Sequence, residues 1–155
     1  MALSDHLSEE SVCMSIEAAE RDDALRELLV NLVSHNKLPE AQVEPSMEAL
    51  LAREKLGSTA LGKGVAVPHA RVEGLEQTLV AFGYSEEGIE FDALDGQPVQ
   101  YFFLVISPED DHEEYVALMG KISQLVRDHD FRRFLEAARE SEDVVDLVSD
   151  MEKEG

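Results

Sequence analysis

An α/β domain is what this sequence predicts: a mixed β-sheet of about five strands covered by helices on both faces. Three observations lead there. Apolar residues recur at intervals of three and four between Leu25 and Val33, alternate at intervals of two between Val12 and Ile16, and run almost unbroken through VQYFFLVIS, residues 99–107. Helical and strand periods that alternate along one chain require a sheet with helices packed over it. The 155 residues fit one ordinary domain, 1–155, and a 44% hydrophobic share supplies a sizeable single core.

Val12, Met14 and Ile16 alternate with Cys13 and Ser15, the pattern of a short strand. From Asp22 onward, Leu25, Leu28, Leu29, Leu32 and Val33 build one helical stripe, which Asn36 and Pro39 bring to a stop. A second helix, PSMEALLAREKL, opens on Pro45, where the missing N–H does least harm. Its buried edge is Met47, Leu50 and Leu51, and it ends at Gly57. Val65, Ala66 and Val67 are too few to classify. TLVAFGYS, from Thr78, has the β-branched and aromatic content of a strand. The Asp95-Gly96 turn signal then precedes 99–107, whose continuous apolar run marks a strand buried on both faces at the sheet centre. After SPEDD the period switches again, and Tyr115, Leu118, Met119, Ile122, Leu125 and Val126 mark a long amphipathic helix. Asp130 is expected to cap FRRFLEAARE, with Phe131, Phe134, Leu135 and Ala138 inward. Ser141 is expected to cap a last helix carrying Val144, Val145, Leu147 and Val148.

With 34 Asp+Glu against 13 Lys+Arg, the formal charge of -21 repels nucleic-acid phosphates and anionic membrane surfaces. Neither is an expected partner, whereas a basic patch on another protein is favoured. The lone Cys13 cannot close an internal disulfide, MALSDHLSEE has no secretory pattern, and no stretch is long enough to span a membrane. A cytoplasmic protein is expected. No metal or cofactor is expected either: HEEYV at His112 begins like a metallohydrolase helix but lacks the second histidine at i+4. A metal-dependent hydrolase built on His69 and His112 is therefore the weakest of the alternatives.

The chemistry concentrates in GKGVAVPHARVEG, residues 62–74. Gly62 and Gly64 permit a tight turn and a close approach to a ligand, while Pro68 fixes the backbone just before His69. An imidazole held at a strand end becomes a nucleophile when one ring nitrogen is tied to a carbonyl or carboxylate and the other is free. By residue chemistry alone, a loop histidine without a role fits equally well.

The flank read as a unit, REKLGSTALGKGVAVPHARVEGL, residues 53–75, resembles the fructose/mannitol-type enzyme IIA domain of the bacterial phosphotransferase system. Glu54, Leu61, Gly62, Val65, Ala66, Val67, Pro68, His69 and Ala70 occupy that family's signature positions. The similarity extends through GIEFDALDGQPVQYFFLVISPEDDH, KISQLVRD and FRRFLEAARESEDVVDLV. The resemblance implies a mixed sheet sandwiched by helices and a freestanding carrier without the fused membrane or second phosphocarrier domains of some relatives. It further implies that His69 accepts a phosphoryl group from the phosphorylated histidine phosphocarrier protein and passes it to a IIB domain. In the nitrogen-regulatory branch, the group serves instead as a signal to a regulated kinase or channel, and a purely interacting module is the alternative. Arg53 matches the arginine that precedes the family's GST segment, where its guanidinium can hold phosphate oxygens bidentately, and His112 matches the family's second active-site histidine; by residue chemistry alone a helix-end arginine pairing with Glu54 or the last carbonyls, and a surface histidine, fit as well. Ser58 and Thr59 supply hydroxyl and backbone donors to support the phosphate, although a serine and threonine after glycine also serve ordinary turns.

Residue by residue, Lys63 and Arg71 rank lower as guides for the donor's phosphate, because exposed basic side chains are common in loops. Phe91, Phe102 and Phe103 are expected in the core, Asp92 and Asp95 in turns, and His6, His35 and His129 in solvent.

Overall fold

In the computed structural model, which describes residues 2–154, the chain runs β1 (Val12–Cys13), α1 (Arg21–Ser34), α2 (Val43–Lys55), β2 (Ala60–Gly62), β3 (Val65–Ala66), β4 (His69–Val72), β5 (Leu79–Ile89), β6 (Val99–Pro108), α3 (His112–Arg127), α4 (His129–Ala137) and α5 (Ser141–Glu154). The outermost residues of the expected 1–155 domain lie outside the described ones. Short 3-10 turns at Leu3–Asp5, Glu9–Ser11 and Glu40–Gln42 complete the order.

Strand β6 sits at the centre, as its apolar run demands. On one edge it pairs antiparallel with β5, from Leu79↔Ile106 to Ile89↔Val99. On the other edge β3 and β4 follow one another, both parallel to it, with Val65 opposite Tyr101 and His69 opposite Val105. β1 extends the sheet beyond β5, and β2 extends it beyond β3. The described sheet thus has six strands rather than about five, because the stretch from Val65 to Val72 is broken at Pro68 into two short strands, β3 and β4. Pro68 is the cause: without an N–H it cannot donate to the ladder, and it keeps contact only through its carbonyl, which accepts from Val105 N at 2.9 Å.

Alternation along β6 builds two cores. Phe102, Leu104 and Ile106 face α1 and α2, among Leu25, Leu28, Leu29, Met47 and Leu50. Phe103 and Val105 face α3, α4 and α5, among Leu118, Ile122, Phe131, Val144 and Val148. Both faces of the sheet are therefore covered. At about 1.5–3 kcal/mol per fully buried leucine-sized side chain, these faces dominate the stability of the fold.

Several expectations shift at element ends. The first strand leaves the ladder after Cys13, and Ile16 rejoins it with one bond, its N–H donating to Tyr84 O at 2.9 Å. α2 starts at Val43, so Pro45 falls within the first turn, where backbone N–H groups have no helical partner anyway. Asp128, not Asp130, caps α4: its carboxylate accepts from Phe131 N at 3.0 Å. Phe134 points outward at 59% exposure, because Phe131 and Leu135, at i and i+4, fill the narrow buried stripe of a nine-residue helix. Ser141 is the first helical residue of α5. The Asp143 carboxylate reaches back to the N–H groups of Arg139 and Glu140.

Gly62 and Gly64 shape a hairpin rather than approach a ligand. β2 and β3 are joined by Lys63 and Gly64, both at positive φ (60° and 79°), the conformation a two-residue hairpin with native strand twist needs. The Asp95 carboxylate fastens this turn by accepting from Lys63 N at 3.0 Å, so Asp95 is the turn residue expected.

Candidate functional site

His69 opens β4 directly after the Pro68 break, and the local sequence fixes its aim. Ala70 and Val72 point into the core beneath α1 and α2, so His69 and Arg71 share the opposite face of the strand. The ring Nδ1 lies 2.7 Å from the carbonyl oxygen of Val67. A carbonyl only accepts, so the proton sits on Nδ1 and the lone pair on Nε2. Burial holds the imidazole below its ordinary value, helped by the nearby Arg53 guanidinium and opposed by the Val67 carbonyl and the Glu54 carboxylate, which favour the charged ring. The result is a half-buried, neutral imidazole with a defined nucleophilic nitrogen.

Around it lies an open depression of about 560 Å³, walled by Ala49, Ala52, Arg53 and Leu56 of the α2 end, His69, Ala70 and Arg71 of β4, Glu109 after β6, and Tyr115 of α3, so two cations face one carboxylate across it. Arg53 Nη1 donates to Gly57 O at 2.8 Å, tying the guanidinium to the turn that ends α2 and leaving its other donors for a ligand. The Tyr115 ring stands 6.1 Å from the His69 ring, centre to centre. Burial pushes the Tyr115 phenol up, while Arg71 and Arg53 both pull it down, so the two guanidinium charges converge on this corner. In a chain of charge -21, two cations flanking one histidine mark a place suited to an anion.

His112 is the first residue of α3, exposed, and its Nδ1 accepts from Arg71 Nη1 at 3.4 Å. It reaches the site through Arg71 and does not line the depression. Ser58 and Thr59 are also off the lining. The Ser58 hydroxyl donates to Phe91 O at 2.5 Å and accepts from Ala60 N at 3.1 Å. The Thr59 hydroxyl donates to the buried Glu54 carboxylate, which also accepts from Thr59 N at 3.2 Å. Both hydroxyls thus hold the α2–β2 turn together. Lys63 is exposed on its hairpin.

Sequence reasoning undervalued two residues. Spacing assigns Tyr115 only to the apolar stripe of α3, yet its ring lies beside His69. The sequence ranks Arg71 below Arg53, although its place two residues beyond His69 in a strand is a usable sign of a shared face. Of the histidines read as solvent residues, His35 and His129 are exposed. His6 is half-buried, with Nε2 3.2 Å from Glu114 Oε1. Among the described residues, no three His, Cys, Asp or Glu side chains are grouped to hold a metal ion, and no helix is long and apolar enough to cross a membrane.

Comparison with known proteins places the chain in a family. A family model described as "Phosphoenolpyruvate-dependent sugar phosphotransferase system, EIIA 2" matches residues 5–151. A nitrogen regulatory protein of Bradyrhizobium diazoefficiens is 32% identical over 149 residues, 96% of this chain and 95% of its own length. The crystal structure of nitrogen regulatory protein IIA-Ntr from Neisseria meningitidis superimposes with a TM-score of 0.84 at 32% identity, over 94% of this chain and 98% of that one. Enzyme IIA-mannitol of Escherichia coli, solved in complex with phosphorylated enzyme IIB-mannitol, shares the fold with a TM-score of 0.74 at 22% identity, over 92% and 96% of the two chains. The family model matches nearly the whole chain and the relatives agree with it: the chain belongs to the EIIA 2 family of the phosphoenolpyruvate-dependent sugar phosphotransferase system.

Proposed function

We propose that this protein is a cytoplasmic phosphoryl carrier in which Nε2 of His69 accepts a phosphoryl group from a phosphorylated histidine phosphocarrier protein and later yields it to a IIB domain or a regulated partner. The observation that carries the reading is the 2.7 Å contact between Nδ1 and Val67 O, which leaves Nε2 with the lone pair beside a cationic depression. The lone pair attacks phosphorus as the donor's P–N bond breaks, and the donor ring recovers its electron pair. The ring of His69 becomes cationic in the same step, its remaining proton shared with Val67 O. The donor ring, protonated on its other nitrogen, leaves as a neutral imidazole, and the Val67 carbonyl keeps the His69 proton on Nδ1, so the cationic ring can leave as neutral imidazole in the next transfer. Such transfer asks for positioning and charge neutralisation, which Arg53 supplies through bidentate contact with phosphoryl oxygens. His112 stands at the positive end of α3, where a dianion is favoured. Ser58 and Thr59 support the phosphate at one remove, by fixing the turn that carries Arg53. Passage of labelled phosphate from phosphoenolpyruvate through enzyme I and its carrier protein onto this chain tests the proposal. Acid-labile label supports it, and no label with a cognate donor overturns it.

The lowered pKa of His69 gives a pH test. The fold favours the neutral ring, so this contribution to stability is intact above the unfolded value of 6.5 and is lost as pH falls through 6.5 toward the lower folded value. In a ring-proton NMR titration, His69 should protonate at lower pH than the same residue in a short peptide. A midpoint at or above the peptide's would remove the argument for a neutral nucleophile.

A regulatory use of the phosphoryl group is the second reading, favoured by the two relatives at 32% identity, both named as nitrogen regulatory proteins. A phosphoryl dianion on His69 would reverse the local charge of the depression and so change which partner docks there. Pull-downs with unmodified and phosphorylated protein separate the uses: a IIB domain among the partners indicates transport, and state-dependent capture of a kinase or channel indicates regulation.

A further inference from the structure

Arg71 lies between His69 and the start of α3. It leaves β4 on the same face as His69, and its guanidinium carbon stands 5.9 Å from the centre of the Tyr115 ring. Nη1 donates to Glu109 O at 3.5 Å and to His112 Nδ1 at 3.4 Å. Both bonds are long for N–H donors, and the side chain is exposed, so the tethers are weak and their release costs little. His112 and Tyr115, three residues apart on α3, form one wall against which the guanidinium rests. Arg53 stands across the depression on α2.

We propose that Arg71 is a second ligand of the phosphoryl group and the residue that couples His112 to the state of His69. The proposal rests on His69 being the phosphoryl acceptor. In the unmodified protein the guanidinium leans on Tyr115, Glu109 O and His112. When His69 carries a phosphoryl group, the dianion outcompetes two long neutral contacts, and Arg71 turns onto the phosphoryl oxygens while Arg53 holds them from the α2 side. No bond is made or broken beyond these hydrogen bonds. The Nδ1 of His112 loses its donor in the exchange, so the state of the phosphoryl group is written onto the first residue of α3, on the exposed surface where a partner can read it.

Wild type, Arg71→Gln and Arg71→Lys, phosphorylated by enzyme I and its carrier protein, test this. Rapid-quench measurement should show Arg71→Gln accepting phosphate about tenfold to a hundredfold more slowly, as loss of one charge-assisted contact predicts, with Arg71→Lys recovering part of the rate. The second readout is the His112 ring resonance: it should move on phosphorylation of wild type and stay still in Arg71→Gln. Unchanged rate in Arg71→Gln overturns the proposal. So does a slower Arg71→Gln whose His112 shift still follows phosphorylation, which would confine Arg71 to docking the donor. Absence of label on wild type would overturn the carrier assignment itself, whereas normal label on wild type with an indifferent Arg71→Gln overturns only the role of Arg71.

Discussion

His69→Ala should accept no acid-labile phosphate at all, while keeping the fold of the wild type. No other histidine combines a fixed Nδ1 with a position in the cationic depression. His35 Nδ1 contacts Asn31 O at 2.9 Å, but on the exposed end of α1 far along the chain from Arg53 and Arg71. His112 lacks a carbonyl partner for Nδ1 and faces Arg71 instead. Removal of the nucleophile eliminates the covalent step, a loss beyond the thousandfold range that supporting groups command. The fold survives because the ring is half-buried at a strand end, where truncation opens space to solvent rather than a closed cavity. His112→Ala should retain label at a reduced rate, since that residue reaches the site only through Arg71. Labelling followed by acid and base treatment reads both variants. Undiminished label on His69→Ala would move the acceptor elsewhere.

Phe103→Ala should cost about 3–5 kcal/mol, the range for deletion of a fully buried phenyl ring. Phe103 is 0% exposed at the middle of β6, and its ring meets Phe82 edge-on at 5.0 Å and Phe131 at 6.2 Å. These contacts join the central strand to β5 and to α4, so the cavity would open between layers that cannot close upon it. For a chain of this size the loss corresponds to a fall in Tm on the order of 10 °C. Yet the folded fraction should still take phosphate, because Val105, two residues further along β6, keeps its pairing with His69. Thermal melts alongside labelling check this. A drop below about 1 kcal/mol would mean that the α3–α5 side of the sheet is far more adaptable than its packing indicates.

What the sequence revealed and concealed follows the range of the forces involved. The stripe of α1 was legible because five apolar side chains at helical spacing have only one way to meet a sheet, and all but the partly buried Val33 are fully buried. The central strand was legible for the same reason. His69 was singled out by the family resemblance of its flank, since residue chemistry alone left a loop histidine without a role equally open; the local contact of its Nδ1 with the Val67 carbonyl is what the structure adds. The cap of α4 was harder to place, since Asp128 and Asp130 are chemically equal and the sharp turn out of α3 chose between them. Phe134 was misassigned because a nine-residue helix has too few turns for spacing alone to tell its inner face from its shoulder. The hydroxyls of Ser58 and Thr59 faced a choice between phosphate and protein that depends on Phe91, 33 residues away from Ser58, and on burial of Glu54. Tyr115 became a neighbour of His69 only through the parallel pairing of β4 with β6, which delivers the start of α3 to the strand's end.

The central claim is that one atom, Nε2 of His69, carries the phosphoryl group. Protein labelled with nitrogen-15 in its histidine rings, phosphorylated through enzyme I and its carrier protein, lets NMR identify the substituted nitrogen directly. The account predicts a phosphorus coupling at Nε2 of His69, with Nδ1 still protonated against Val67 O. Phosphate on Nδ1 of His69, or on any other side chain, would contradict it.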